Sequence, residues 1–174
     1  MRTVHGAFTH CSLFIAICEG GCMYVKRIMT LLRDLKVVYA NTAIREVVEI
    51  MLSNGLTELP VVDKKNLFQG EISMRDILRE ALPRYIADGN LKDVSFAPGL
   101  FKFEDKLKDI MYKEVSAVME KSIRTVSPEM STFEVATLLA VSEYKDDIVY
   151  VVEKDGRLAG AVLISSIFRG LIKE

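Results

Sequence analysis

The sequence predicts an α/β fold made of two tandem copies of one small unit of strands and helices. Four segments recur in the same order in the two halves of the chain. The pairs are VKRIM (25–29) with VSAVM (115–119), REVVEIML (45–52) with FEVATLLA (133–140), LPVVDKKNLFQGEI (59–72) with VYVVEKDGRLAGAV (149–162), and DILR (76–79) with SIFR (166–169). An internal repeat of this kind indicates one supersecondary unit that is present twice.

A helix is predicted near the start of each copy. In the first copy, the apolar residues of REVVEIML recur at helical spacing, and Gly55 is a typical helix stop. Asn41 or Thr42 is expected to cap the start of this helix. In the second copy, the sequence STFE at 131–134 predicts a capping box at the helix start.

The other elements of each copy are strands and a closing helix. Two β-rich runs follow the first helix, and in the second copy they flank Asp155-Gly156, a strong indication of a hairpin. The closing helices begin at about Ile77 and about Ile167. With short strands predicted at VVY (37–39) and TV (125–126), each copy has the order strand-helix-strand-strand-helix.

The repeat divides the chain into four segments. Residues 1–22 are an N-terminal extension, 23–82 the first domain, 83–114 a linker, and 115–174 the second domain. One copy alone is too small to bury a sufficient core, so the two copies are expected to pack on each other. The linker contains FKFEDKLKDIMY (101–112), an amphipathic helix that either covers core or serves as a lid or partner contact.

The composition argues against several classes of protein. Of the 174 residues 50% are hydrophobic, and the net charge is −1, so neither disorder nor a nucleic-acid or anionic-membrane surface is predicted. No apolar run approaches the roughly 20 residues of a membrane helix. All three cysteines and both histidines lie in the first 22 residues, so the rest of the chain lacks the common nucleophile and base pairs. The sequence therefore predicts a cytoplasmic protein that is not an enzyme.

The ordered set of repeated segments resembles the CBS domain family, whose tandem pairs are called Bateman modules. The resemblance covers residues 25–82 and 115–172. It implies a pseudo-two-fold CBS pair with two clefts, which often bind AMP, ADP, ATP or S-adenosylmethionine as regulatory ligands, with no cofactor required. It also implies a homodimer that regulates an effector protein, which the sequence does not identify.

The ligand motif of the family is a glycine, two residues, Ser or Thr, two residues, and then Asp; here the three are Gly70, Ser73 and Asp76. The resemblance implies that Ser73 contacts phosphate and that Asp76 takes the ribose hydroxyls. A hydroxyl at a helix start suits a phosphate, and a carboxylate offers two acceptor oxygens to a vicinal diol. The same resemblance implies that Arg75 adds a further phosphate contact. It also implies an adenine slot formed by Val38, Tyr39, Ala40, Leu59, Pro60 and Val61.

Two observations keep open the alternative of a CBS module that binds no ligand and acts in protein interaction. Ser73 and Asp76 before an apolar run also form a capping-box pattern. In the second copy, Leu163 and Ser166 stand where the first copy has Ser73 and Asp76. Because a hydrogen bond to a charged group contributes about 1.5–3 kcal/mol, we expect an adenosyl ligand in the first copy only.

Residues 1–22 fit no part of the repeat, and four interpretations compete. They are a tail outside the fold, a targeting or lipid-attachment segment, a metal site, or an extension that packs on the module or a dimer mate. The segment holds zinc-type side chains, but because no C-x-x-C or H-x-x-x-H spacing is present, no metal is predicted. These side chains are His5, His10, Cys11, Cys18 and Cys22.

Overall fold

The computed structural model describes residues 24–87, 100–141 and 147–172, so the N-terminal extension lies outside the described residues. Strands in the described part are β1 (Thr30–Leu31), β2 (Val38–Tyr39), β3 (Glu58–Val62), β4 (Phe68–Ser73), β5 (Thr125–Val126), β6 (Ile148–Val152) and β7 (Leu158–Leu163). Helices there are α1 (Ile44–Asn54), α2 (Met74–Ala81), α3 (Arg84–Ala87), α4 (Leu100–Met111), α5 (Thr132–Val141) and α6 (Ile164–Ile172). None of these helices is long and apolar enough to span a bilayer.

The described chain forms two compact units, each containing one complete repeat of the predicted element order. The first unit comprises Leu35–Arg124 with Asp155–Leu158, and it contains β2, α1, β3, β4 and α2 in sequence. The second unit comprises the described residues of Met1–Asp34, Thr125–Lys154 and Ala159–Glu174, and it contains β5, α5, β6, β7 and α6. The prediction of an α/β fold with two strand-helix-strand-strand-helix units is confirmed.

The segments that open the two repeats are exchanged between the units. The 3₁₀ turn Val115–Ala117 belongs to the first unit, where the Val115 N–H donates to the Thr42 carbonyl at 2.9 Å. The 3₁₀ turn Val25–Arg27 belongs to the second unit, where the Val25 N–H donates to the Met130 carbonyl at 2.9 Å. The predicted boundaries, 23–82 for the first domain and 115–174 for the second, therefore follow the repeats of the sequence. As the limits of folded domains, they stay a prediction.

The sheet of the first unit has the strand order β2-β3-β4 and buries one face under helices. Strand β2 is parallel to β3, and β3 is antiparallel to β4, with Leu59 opposite Ile72. Helices α1, α2 and α4 supply apolar side chains to this face. The buried members of the core are Val38, Ile44, Val47, Met51, Leu59, Val61, Ile72, Ile77, Ala81, Ile110 and Val115.

Helix α1 begins and ends with different kinds of backbone contact. Its N-cap residue is Ala43, which makes no side-chain cap, and the Ile44 N–H instead donates to the Lys113 carbonyl at 2.9 Å. The prediction of an Asn41 or Thr42 cap is therefore wrong, because a segment distant in sequence satisfies the helix start. The predicted stop at Gly55 is confirmed, since this residue has the left-handed φ of 65°.

Helix α4 covers the core of the first unit. Ile110 is buried there, and Phe103, Leu107 and Met111 pack against the same core. These are the four residues that the amphipathic pattern assigns to one side of the helix. The interpretation of this linker helix as a core-covering element is confirmed, whereas a role as a lid stays untested.

The second unit repeats the plan with a sheet of order β1-β7-β6-β5. Its core is formed by Val25, Val126, Val135, Val149, Val151 and Val162. The predicted capping box of α5 is confirmed, because the Ser131 hydroxyl donates to Glu134 Oε2 at 2.6 Å and the Glu134 N–H donates to Ser131 Oγ at 3.2 Å. The hydrogen bonds from Ser131 hold the pKa of Glu134 below its ordinary value.

Candidate functional site

Ser73 and Asp76 form a capping box at the start of α2. The Asp76 N–H donates to Ser73 Oγ at 3.1 Å, and the Ser73 N–H donates to Asp76 Oδ2 at 3.2 Å. The Ser73 hydroxyl donates to the same Asp76 oxygen at 2.5 Å. The helix begins here because Ser73 has extended backbone angles and its side chain satisfies a free N–H of the first turn.

The carboxylate of Asp76 lies between two different environments. Its Oδ2 atom accepts both bonds from Ser73, while its Oδ1 atom lies 3.8 Å from a guanidinium nitrogen of Arg79. The side chain of Asp76 is only 19% exposed, and Ser73 is 9% exposed. Sequence reasoning missed Arg79, although its position three residues after Asp76 on a helix predicts such a contact.

The predicted adenine-slot residues divide between the two faces of the first sheet. Val38, Leu59 and Val61 are members of the helix-covered core. Since side chains alternate along a strand, Tyr39 and Pro60 project from the opposite face. Ser73 follows the core residue Ile72 and ends β4 on that same opposite face. Only Tyr39 and Pro60 of these strand residues can therefore present side chains beside Ser73.

The remaining predicted residues flank this face. Ala40 packs partly against the core, and its carbonyl accepts the Ser116 N–H at 2.8 Å. Arg75 is exposed at the second position of α2, next to Asp76. Helix α2 thus brings Ser73, Arg75 and Asp76 together at one helix N-terminus. The assignment of these residues to a ligand site stays a prediction.

Gly70 has a structural role that the motif did not predict. A Cβ atom at Gly70 would lie 2.2 Å from the carbonyl oxygen of Glu120, and its φ of 149° also disfavours other residues. The Glu71 and Glu120 backbones exchange two hydrogen bonds at 2.9 Å, which holds the exchanged segment against β4. The glycine is therefore needed for close backbone approach, and the equivalent glycine in the second repeat is the sequence feature that could have indicated this.

Gly160 meets the same constraint in the second unit. Strand β1 pairs antiparallel with β7, and a Cβ atom at Gly160 would lie 2.2 Å from the Thr30 carbonyl oxygen. The end of β7 differs, however, because Leu163 precedes α6 and Ser166 is its third residue. The second unit thus keeps the structural glycine and lacks the Ser and Asp side chains, as the sequence indicates.

Metal ligation finds no support in the part of the chain that the structure covers. No group of three or more His, Cys, Asp or Glu side chains there is arranged to hold an ion. The cysteines and histidines at positions 5–22 lie outside the described residues. The acidic turn residue Asp155 is instead held by the Arg157 side chain, whose hydrogen bond lowers the pKa of Asp155.

Comparison with known proteins gives a consistent family match. The family model described as CBS domain matches residues 25–83 and 115–173. A CBS domain-containing protein of Dictyostelium discoideum is 26% identical over 149 residues, which cover 86% of this chain and 91% of that protein. Both matches cover most of the chain, and the family model matches each repeat separately.

Two solved structures share the fold. CBSX2, a CBS-pair protein from Arabidopsis thaliana whose complex with AMP has been solved, matches with a TM-score of 0.65 at 24% identity. That match covers 86% of this chain and 96% of the other. CbpB in complex with c-di-AMP matches with a TM-score of 0.65 at 14% identity, covering 93% of each chain. The architecture is that of a tandem CBS pair.

Proposed function

We propose that this chain, which belongs to the CBS domain family, is a regulatory module that binds an adenosine-containing ligand through its first repeat. The observation that carries the proposal is the pair Ser73 and Asp76. The hydroxyl of Ser73 and the carboxylate of Asp76 are held together at a helix N-terminus. Both side chains are largely buried, at 19% exposure for Asp76 and 9% for Ser73. Buried polar side chains are costly unless they have partners, and Ser73 and Asp76 are partners of each other.

The chemistry of this pair suits a nucleotide. Asp76 Oδ1 receives no hydrogen bond from Ser73, so it is an acceptor for one ribose hydroxyl, and Oδ2 serves the second when the Ser73 hydroxyl turns away. The Ser73 hydroxyl can then donate to a phosphate oxygen. The positive end of the helix dipole at the α2 start favours the negative charge of that phosphate.

The base of the ligand would lie along the same sheet face. Tyr39 is 46% exposed there and offers an aromatic ring, while the buried Pro60 offers a rigid apolar surface. Val38, Leu59 and Val61 would contribute backbone groups, because their side chains belong to the core. Arg75, exposed beside the motif, is the cation placed to reach a phosphate.

The ligand class follows from the shared chemistry of the relatives. The ligands of the two structural relatives, AMP and c-di-AMP, both contain adenosine and phosphate. AMP, ADP, ATP and S-adenosylmethionine all carry the ribose that Asp76 would hold. We further propose that the chain forms a homodimer and acts on an effector protein. Ligand binding can regulate the effector only if the ligand prefers one of two states of the protein or its assembly.

A second candidate is a CBS module that binds no ligand and serves protein interaction. The mutual hydrogen bonds of Ser73 and Asp76 favour it, since each side chain already has a partner. Capping alone then accounts for both residues.

Calorimetric titration of the full chain with AMP, ADP, ATP and S-adenosylmethionine separates the two candidates. Asp76→Ala is the test variant, and Glu134→Ala is a matched control that breaks the capping box of α5. We expect one site per chain for at least one ligand, with affinity reduced about ten- to hundredfold in Asp76→Ala and unchanged in Glu134→Ala. Absence of binding by folded protein with all four ligands would instead favour the interaction module.

A further inference from the structure

The two repeats differ at two positions on the sheet face that carries the proposed site. Strands β3 and β6 are equivalent, and their third residues are Pro60 and Tyr150. Strands β4 and β7 are also equivalent, and they end on Ser73 and Leu163. The second unit therefore has a tyrosine ring where the first has a proline.

The ring of Tyr150 projects away from the helix-covered core of the second unit. Val149 and Val151 belong to that core, and Tyr150 lies between them on the strand. Because strand side chains alternate between faces, Tyr150 must project from the face opposite to the core. Leu163, which follows the core residue Val162, shares this opposite face.

Tyr150 is completely buried on this face. It is 0% exposed and the largest of the fully buried side chains in the described residues. A planar ring with an apolar body and a polar edge has the character of the adenine that the equivalent face of the first repeat is proposed to receive. A ligand that took this position would have to displace the ring and expose its apolar surface to water. The free-energy cost of that exposure opposes ligand binding here.

We propose that Tyr150 occupies the position in the second repeat that corresponds to the base position of the first. Its side chain thereby limits each chain to one ligand site, the one in the first repeat. The inference rests on the proposed function of the first repeat and goes further, since it assigns the asymmetry to a filled slot and not only to the missing Ser and Asp. Restoring those polar groups alone should not create a second site.

A gain-of-site experiment tests this, in an Asp76→Ala background that weakens binding by the first repeat. One variant adds Leu163→Ser and Ser166→Asp, and a second adds Tyr150→Ala to those two changes. With AMP as the probe in calorimetry, we expect the first variant to bind no better than Asp76→Ala alone and the second to gain one further site per chain. A gain of binding in the variant that keeps Tyr150, or no gain in a folded variant that lacks it, would overturn the proposal.

The reverse exchange protects the test against a Tyr150→Ala variant that does not fold. Pro60→Tyr places a ring in the first repeat while Ser73 and Asp76 stay. We expect AMP affinity to fall at least about tenfold, with a thermal melt confirming a folded chain. A folded Pro60→Tyr variant with wild-type affinity would overturn the Tyr150 proposal alone, whereas a wild-type chain that binds no AMP, ADP, ATP or S-adenosylmethionine would overturn this proposal and the proposed function together.

Discussion

The hydroxyl oxygen of Ser73 lies 2.5 Å from Oδ2 of Asp76, and the Asp76 N–H returns a bond to the same hydroxyl at 3.1 Å. The two side chains are thus each other's partners as well as the proposed ligand contacts. A nucleotide that takes the Ser73 hydroxyl for phosphate frees Oδ2 of Asp76 for the ribose. Phosphate and ribose recognition are therefore expected to depend on each other.

Removal of the Ser73 hydroxyl should affect both stability and binding. Ser73→Ala is expected to lower the free energy of unfolding by about 1 kcal/mol, the usual cost of a lost N-cap. Ser131→Ala removes the matching cap of α5 and should cost about the same in urea unfolding. AMP affinity, measured by calorimetry, should fall only in Ser73→Ala. Equal affinity in the two variants would show that Ser73 is only a helix cap.

Gly70 should tolerate no side chain. In Gly70→Ala, the new Cβ would lie 2.2 Å from the Glu120 carbonyl oxygen, and the exchanged segment would have to move. Strain of about 1–3 kcal/mol from the backbone angles adds to that clash, so the loss in urea unfolding should exceed about 3 kcal/mol.

Gly55→Ala is the control for backbone strain without a clash. Gly55 has a φ of 65°, and nothing lies within 4 Å of a Cβ built there. The expected cost is about 1–2 kcal/mol. If the two alanine variants were equally stable, the close backbone approach at Glu120 would not be what requires Gly70.

Helix α4 should stabilise the first unit through Ile110. This side chain is 1% exposed, and Ile110→Ala is expected to lower the free energy of unfolding by about 2–5 kcal/mol. Tyr112 lies just beyond the helix and is 78% exposed, so Tyr112→Ala should change stability by less than about 0.5 kcal/mol. A small effect of Ile110→Ala in denaturant unfolding would mean that the linker helix is not part of the core.

The capping box of α5 should contribute a pH-dependent stability. The pKa of Glu134 is lowered by its hydrogen bonds with Ser131, so its contribution is present above the ordinary value of 4.5 and lost as pH falls through the folded value. In urea unfolding, the difference between wild type and Glu134→Gln should therefore shrink from about pH 6 to about pH 3. A difference that is constant over this range would contradict the shift.

The local elements of the fold could be predicted because their patterns are local. The order of strands and helices, the α5 capping box and the stop at Gly55 depend on residues a few positions apart. The Ala43 start of α1 could not, because its partner is the carbonyl of Lys113, far along the chain. The exchange of the opening segments between the units could not be predicted for the same reason. It depends on contacts between residues far apart in sequence, which leave no local periodicity.

The candidate site was predictable in its polar part more than in its apolar part. The Ser73 and Asp76 motif gives side chains that meet at one helix start, as the spacing indicates. The six slot residues came from resemblance, and strand alternation then places three of them, Val38, Leu59 and Val61, in the core. The role of Tyr150 could not be predicted, because a single aromatic residue in an apolar strand forms no distinguishing sequence pattern.

The most direct test of the central claim is a thermodynamic cycle between the ribose 2′-hydroxyl of the ligand and the carboxylate of Asp76. Calorimetry would compare AMP with 2′-deoxy-AMP in wild type and in Asp76→Ala. If Asp76 holds the ribose in the first repeat, wild type should prefer AMP by at least about tenfold, and the variant should bind both ligands equally weakly. The same preference in both proteins, or no preference in wild type, would contradict the claim.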